Sequence, residues 1–141
     1  MDFDSVIRRF ESSHLSFKIV LQNMNVFIQF LKNLNEKTLP IVNLTKSRNS
    51  KTGTATFIFV EPDIFTILKT SDKKIQNMYL CWENKQIISK DIKVIFKNGK
   101  PFLLKVILIF KNSKEWFEFL QFMTAYSKET GLSFTENPFT F

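Results

Sequence analysis

The residues best suited to chemistry lie in one short run, Leu44 to Phe59, with the letters LTKSRNSKTGTATFIF. Lys46, Arg48 and Lys51 put three positive charges into a turn with no negative one, and Thr45, Ser47, Ser50 and Thr52 set hydroxyls between them. Cations and hydroxyls so placed can hold carboxylates, phosphates or backbone carbonyls through charge-assisted hydrogen bonds. The same letters also suit a solvated hairpin tip.

The usual parts of an enzyme are missing around this run. A Ser/His/Asp triad or a paired-histidine metal site would depend on His14, the single histidine, which lies far upstream of the strand pattern. The single cysteine, Cys81, excludes an intramolecular disulfide and a cysteine-based zinc cluster, and it fits a reducing compartment. Alternation puts Cys81 on the face opposite Leu80 and Trp82, as a small filler rather than a nucleophile. The three glycines, Gly53, Gly99 and Gly131, are taken by a turn, a hairpin and a helix end, which leaves none for a phosphate-cradling loop. The expectation is a binding protein with no catalytic residues and no metal site.

Charge agrees with a binding role. The net charge is +7, and residues 1 to 23 balance three basic groups (Arg8, Arg9, Lys18) against three acidic ones (Asp2, Asp4, Glu11), so the excess lies from Met24 onward. Such a domain suggests an acidic partner: nucleic acid, an anionic membrane surface or an acidic protein face. A lysine- and asparagine-rich composition set by biased base content would give the same number. Apolar residues are 44% of the chain and include 17 phenylalanines, enough for a packed core, and 141 residues fit one domain. The richest apolar run, Phe102 to Phe110, contains Lys105 and is too short to span a bilayer. Arg8, Arg9, Glu11 and Lys18 interrupt any signal peptide, and the early acids argue against a transit peptide.

The elements that must position the basic run are mostly strands. Val26, Ile28 and Phe30 alternate with Phe27 and Gln29, Lys32 to Thr38 reads as a turn, and Pro40 leads into a strand from Ile41 to Thr45. After the loop Lys46 to Thr52, Thr54 to Val60 alternates as a half-buried antiparallel strand: Ala55, Phe57 and Phe59 one way, Thr54, Thr56 and Ile58 the other. A single helical turn and a loop fill Asp63 to Lys74. Gln76 to Trp82 is a strand that turns back into one long arm, Ile87 to Phe96, in which Phe96 faces inward. Asn98-Gly99 predicts a type I′ hairpin. The returning strand, Phe102 to Phe110, is apolar enough to be central and covered on both faces. A helix capped by Asn112 or Ser113 and ended at Gly131 carries Trp116, Phe119, Leu120 and Met123 at helical spacing, with Phe117 and Phe122 broadening its apolar face. The fold class is α+β, a single domain with one mainly antiparallel sheet of about five to six strands built from hairpins and covered by the C-terminal helix.

Two binding classes fit these elements. The basic loop and sheet face could hold single-stranded nucleic acid, but stacking needs exposed aromatics and alternation turns Phe57 and Phe59 inward. Alternatively, a sheet edge accepts a strand from a partner protein, the main chain supplying affinity and the basic loop fixing orientation. The second is favoured, with the nucleic-acid module as the alternative.

Five stretches are more specific than any of these patterns: the run from Leu39 to Arg48, LPIVNLTKSR; TGTATFIF at Thr52 to Phe59; MYL at Met78 to Leu80; NGKP at Asn98 to Pro101; and the helix with GLSF from Trp116 to Phe134. In this order and at this spacing they resemble the Psb28 family of photosystem II assembly factors, from about Met24 to Phe134. The resemblance implies a non-enzymatic, extrinsic protein on the stromal or cytosolic side of the thylakoid membrane, without a cofactor of its own. It implies transient binding to photosystem II intermediates during assembly or repair, through the C-terminal tail of the inner antenna protein PsbB and acceptor-side loops of the reaction-centre subunits, with a weak homodimer as a further possibility and no nucleic acid. On this reading Thr45, Lys46, Ser47, Arg48, Lys51, Thr52, Thr54 and Thr56 form the docking element. Lys46 stands where the family usually shows arginine, which removes a planar bidentate fork. Residues 1–23 are expected to be an extension and 135–141 a tail. The Lys/Asn/Phe/Ile bias points to a plastid-encoded copy, with a cyanobacterial one as the alternative.

Overall fold

The computed structural model describes residues 26–48, 52–69, 74–133 and 135–137. The expected extension at 1–23, Phe134 and residues 138–141 of the expected tail lie outside the described residues. In chain order the strands are β1 (Val26–Leu31), β2 (Leu34–Asn35), β3 (Ile41–Lys46), β4 (Gly53–Val60), β5 (Met78–Trp82), β6 (Lys85–Ser89), β7 (Ile92–Lys97), β8 (Lys100–Phe110) and β9 (Thr135–Asn137). The helices are α1 (Asp63–Leu68) and α2 (Ser113–Thr130).

The strands form two sheets, β2-β1-β5-β6 and β7-β8-β4-β3-β9. All pairs are antiparallel except β3 with β9. The α+β class, the antiparallel hairpins and the C-terminal helix are as read from the sequence, but the single sheet of five to six strands is two sheets. The physical reason lies at Ser89 to Asp91, inside what reads as one arm from Ile87 to Phe96. Ser89 is buried and its hydroxyl donates to the Ile107 carbonyl at 2.8 Å. The Asp91 amide donates to Ser89 Oγ at 3.3 Å, and the Ile107 amide donates to the Asp91 carbonyl at 3.0 Å. These polar contacts end β6 in the first sheet and start β7 in the second.

Helix α2 touches β1, β5 and β8, and so bridges both sheets. Asn112 Oδ1 accepts from the Glu115 amide at 2.9 Å, and Gly131, in the left-handed region at φ 78, ends the helix by donating to the Ser127 carbonyl at 2.8 Å. Trp116, Phe119, Phe122, Met123 and Tyr126 are buried. Trp82 and Phe122 meet edge to face at 5.6 Å, as do Phe57 and Phe119 at 6.0 Å, while Phe30 and Phe59 join the two sheets directly at 5.0 Å.

Three inward assignments are corrected. Phe117 is 62% exposed, because 100° per residue carries it almost opposite the centre of the buried stripe. Phe96 is 61% exposed, because the β7–β8 register slips between Ile95 and Phe96 and pairs Phe96 with Pro101 rather than Phe102. Strand β8 is central but covered on one face: Leu104, Val106, Leu108 and Phe110 are buried, whereas Ile109 is 68% exposed. The helix and the first sheet lie on the same side of β8; its other side, the open face, carries exposed Ile109 and half-buried Leu103, Lys105 and Ile107.

Glu36 is buried at the start of α1, where its carboxylate accepts from the amides of Asp63 (2.9 Å), Ile64 (3.0 Å) and Thr38 (3.1 Å). Burial, and secondarily the negative charge of Glu36, push the Tyr126 hydroxyl up to about 12. The neutral phenol is therefore favoured in the folded state. That contribution to stability is fully present below pH 10 and is lost as pH rises toward 12.

Candidate functional site

The second sheet positions the basic run. Strands β3 and β4 pair in strict register, Asn43 with Thr56, Thr45 with Thr54 and Lys46 with Gly53. Directly opposed residues in an antiparallel pair share a face. Val42, Leu44, Ala55, Phe57 and Phe59 therefore enter the core, while exposed Asn43 and half-buried Thr45, Thr54 and Thr56 stand on the opposite, open face. Strand β8 extends that face, with Ile109 opposite Thr54 and Ile107 opposite Thr56.

At its end the hairpin closes on itself. The Ser47 amide donates to the Thr52 carbonyl at 3.1 Å, the Ser47 hydroxyl contacts the same carbonyl at 3.3 Å, and Thr52 Oγ1 donates to Ser47 Oγ at 2.8 Å. This clasp fixes both ends of the segment between them. Arg48, just inside it, is exposed, and Lys46, just outside it, is half-buried. Lys51 lies outside the described residues.

The clasp rests on the core through Gly53. A Cβ added there would lie 2.7 Å from the Thr45 carbonyl oxygen and 2.8 Å from two ring atoms of Trp116. Gly53 is thus not the turn residue that the sequence suggests but the first residue of β4, where absence of a side chain lets Trp116 pack over the backbone. Trp116 is itself held by Phe110 at 5.4 Å and Phe119 at 5.9 Å. The first turn of α2 therefore supports the base of the basic turn.

Of the sequence-predicted docking residues, Thr45, Thr54 and Thr56 come together on the open face, and Ser47 and Thr52 come together as the clasp. Lys46 and Arg48 flank Ser47 at the tip. Sequence reasoning missed the neighbours that continue this face: Ile41, 55% exposed and opposite Ile58, Asn43, Ile107 and Ile109. Their alternation is visible in the sequence, but only the β4–β8 register sets them beside the threonines. Among the described residues the face adjoining the basic turn presents threonine and isoleucine rather than the aromatics on which single-stranded nucleic acid stacks. Among the described residues no group of three or more His, Cys, Asp or Glu side chains could hold a metal ion.

Such a surface can act by main-chain pairing at an edge, by hydroxyl and cation contacts at the tip, and by apolar contact along β8. The sequence model of the Psb28 protein family matches residues 28–134, which include both hairpins of the second sheet and helix α2. A relative described as photosystem II reaction center Psb28 protein, from Guillardia theta, is 39% identical over 109 residues, covering 77% of this chain and 94% of that protein. Proteins of the same description from Nostoc punctiforme (41% over 109 residues; 77% of this chain, 95% of that protein) and Phaeodactylum tricornutum (40% over 113 residues; 80% and 98%) are also similar.

Proposed function

The chain belongs to the Psb28 protein family, and from that premise we propose that it is an extrinsic, non-enzymatic assembly or repair factor that binds photosystem II intermediates transiently. The observation that carries this reading is similarity at 39% to 41% identity, over nearly the whole length of relatives described as photosystem II reaction center Psb28 protein. In this reading residues 24–134 are the assembly-factor domain. The protein works on the stromal side of a plastid thylakoid membrane, or on the cytosolic side of a cyanobacterial one. Among the described residues no helix is long and apolar enough to cross a membrane, which supports a peripheral attachment.

Docking uses the second sheet and its basic turn. A partner segment pairs with a sheet edge, so that main-chain hydrogen bonds supply affinity, while Lys46, Arg48 and Lys51 meet carboxylates or carbonyls of partner loops and fix orientation. Thr45, Ser47, Thr52, Thr54 and Thr56 supply hydroxyl contacts along the same strip. The partners are the C-terminal tail of PsbB and the acceptor-side loops of the reaction-centre subunits. The lysine at position 46 gives a point charge where arginine would give a bidentate fork, so Arg48 carries the geometric part of the recognition.

Affinity purification of a tagged chain from thylakoids tests the reading. Recovery of PsbB-containing intermediates is the expected result; recovery with ribosomes or RNA, and no photosystem II subunits, contradicts it.

A further inference from the structure

Sheet extension requires an edge strand with free main-chain groups, and the second sheet has two edges, β7 and β9. The edge nearest the basic turn is not open. Strand β9 pairs in parallel with β3 at Asn43 with Thr135, Leu44 with Glu136 and Thr45 with Asn137, directly before Lys46 and Arg48. We propose that β3 is the docking edge, that its occupant in the complex is an extended segment of the partner protein, and that β9 is a placeholder which this segment displaces. The inference rests on the reading of the chain as a partner-binding protein that works by sheet extension.

Three observations favour β3 over β7. Strand β3 continues directly into Lys46, Ser47 and Arg48, so a segment paired along Ile41 to Lys46 runs straight to the basic turn, whereas β7 is separated from β3 by β8 and β4. Among the described residues β9 pairs with Asn43, Leu44 and Thr45, a three-residue ladder that a longer segment can exceed in main-chain hydrogen bonds. Parallel pairing is also slightly weaker per residue than antiparallel pairing, so an antiparallel competitor gains at each position. By contrast β7 carries the register slip at Ile95/Phe96, and Lys93 and Lys97 are exposed along it, both features that discourage a further strand.

A placeholder has a kinetic and a thermodynamic signature. Affinity for the partner is reduced by the fraction of molecules in which the edge is open, and removing the placeholder restores it. It also keeps an unpaired edge from meeting a second copy of the chain.

The test compares the full chain, a chain ending at Ser133, and the full chain with Glu136→Pro and Asn137→Pro. In a parallel ladder with this register either the Glu136 or the Asn137 amide donates to β3, so the paired prolines remove the donor in both cases. Each is titrated with a synthetic peptide of the PsbB C-terminal tail and, separately, with photosystem II intermediates isolated from thylakoids, after circular dichroism establishes that the fold is retained. The expected result is affinity about 3- to 30-fold tighter for both altered chains, corresponding to an edge closed most of the time. Unchanged affinity places the docking edge elsewhere, and weaker affinity makes β9 part of the interface; either overturns the proposal. If none of the three chains, the full one included, binds either probe, the underlying functional reading fails instead.

Discussion

The second sheet ends in two basic hairpins, and they are built differently. The β7–β8 hairpin turns through Asn98 at φ 55 and Gly99 at φ 78, the two positive φ values of a type I′ turn, and a Cβ at Gly99 would meet nothing within 4 Å. Its Lys97 ammonium lies 4.9 Å from the centre of the Phe102 ring in the same hairpin. The β3–β4 hairpin instead is cross-bonded between Ser47 and Thr52, seated on Trp116 through Gly53, and bordered by an open strip of Thr45, Thr54 and Thr56. Lysines occur in both, so charge alone does not distinguish a docking element from a solvated tip. On the proposed reading, anchorage to the core does, because a contact that must recognise a partner has to be held in one place before the partner arrives.

The comparison can be broken most forcefully at its glycines. Gly53→Val is expected to cost about 3 kcal/mol of stability, since its side chain would overlap the Thr45 carbonyl and the Trp116 ring. Chemical denaturation measures it, and an unchanged midpoint would mean that Trp116 does not rest on the turn. Gly99→Ala should cost about 1–2 kcal/mol, from left-handed backbone strain with no clash. The second hairpin should thus be the more forgiving. Combining Ser47→Ala with Thr52→Val removes the hydroxyl pair and should cost on the order of 1 kcal/mol while raising amide exchange at Ser47; protection that stays the same would show that the backbone hydrogen bond alone closes the turn.

How far the sequence reveals this contrast depends on the range of each interaction. The Asn98-Gly99 turn, the Asn112 cap and the Gly131 helix end are local, and each is read correctly from a few letters. The inward row of β4 follows from period two. The division into two sheets does not, because it depends on Ser89 reaching Ile107, eighteen residues away, and no local pattern distinguishes that from one continuous arm. Gly53 illustrates the same limit: next to Thr52 it reads as a turn glycine, and only the approach of Trp116 gives its actual reason. The proposed docking residues are visible in the sequence as a cluster of charge and hydroxyl groups, while the isoleucines that extend their face, and the strand β9 that lies on β3, depend on strand register.

The central claim is that anchorage selects the first hairpin as the docking element. It is tested most directly by measuring how strongly photosystem II intermediates from thylakoids retain two charge-reversed chains, Arg48→Glu and the pair Lys97→Glu with Lys100→Glu, relative to the unaltered chain. Arg48→Glu is predicted to weaken retention at least about tenfold, as expected for loss of a charged hydrogen bond worth about 1.5–3 kcal/mol, with the chain still folded by circular dichroism. The lysine pair should change retention by less than about twofold, as exposed charges away from an interface do. Equal losses from both chains, or a loss confined to the lysine pair, would contradict the account.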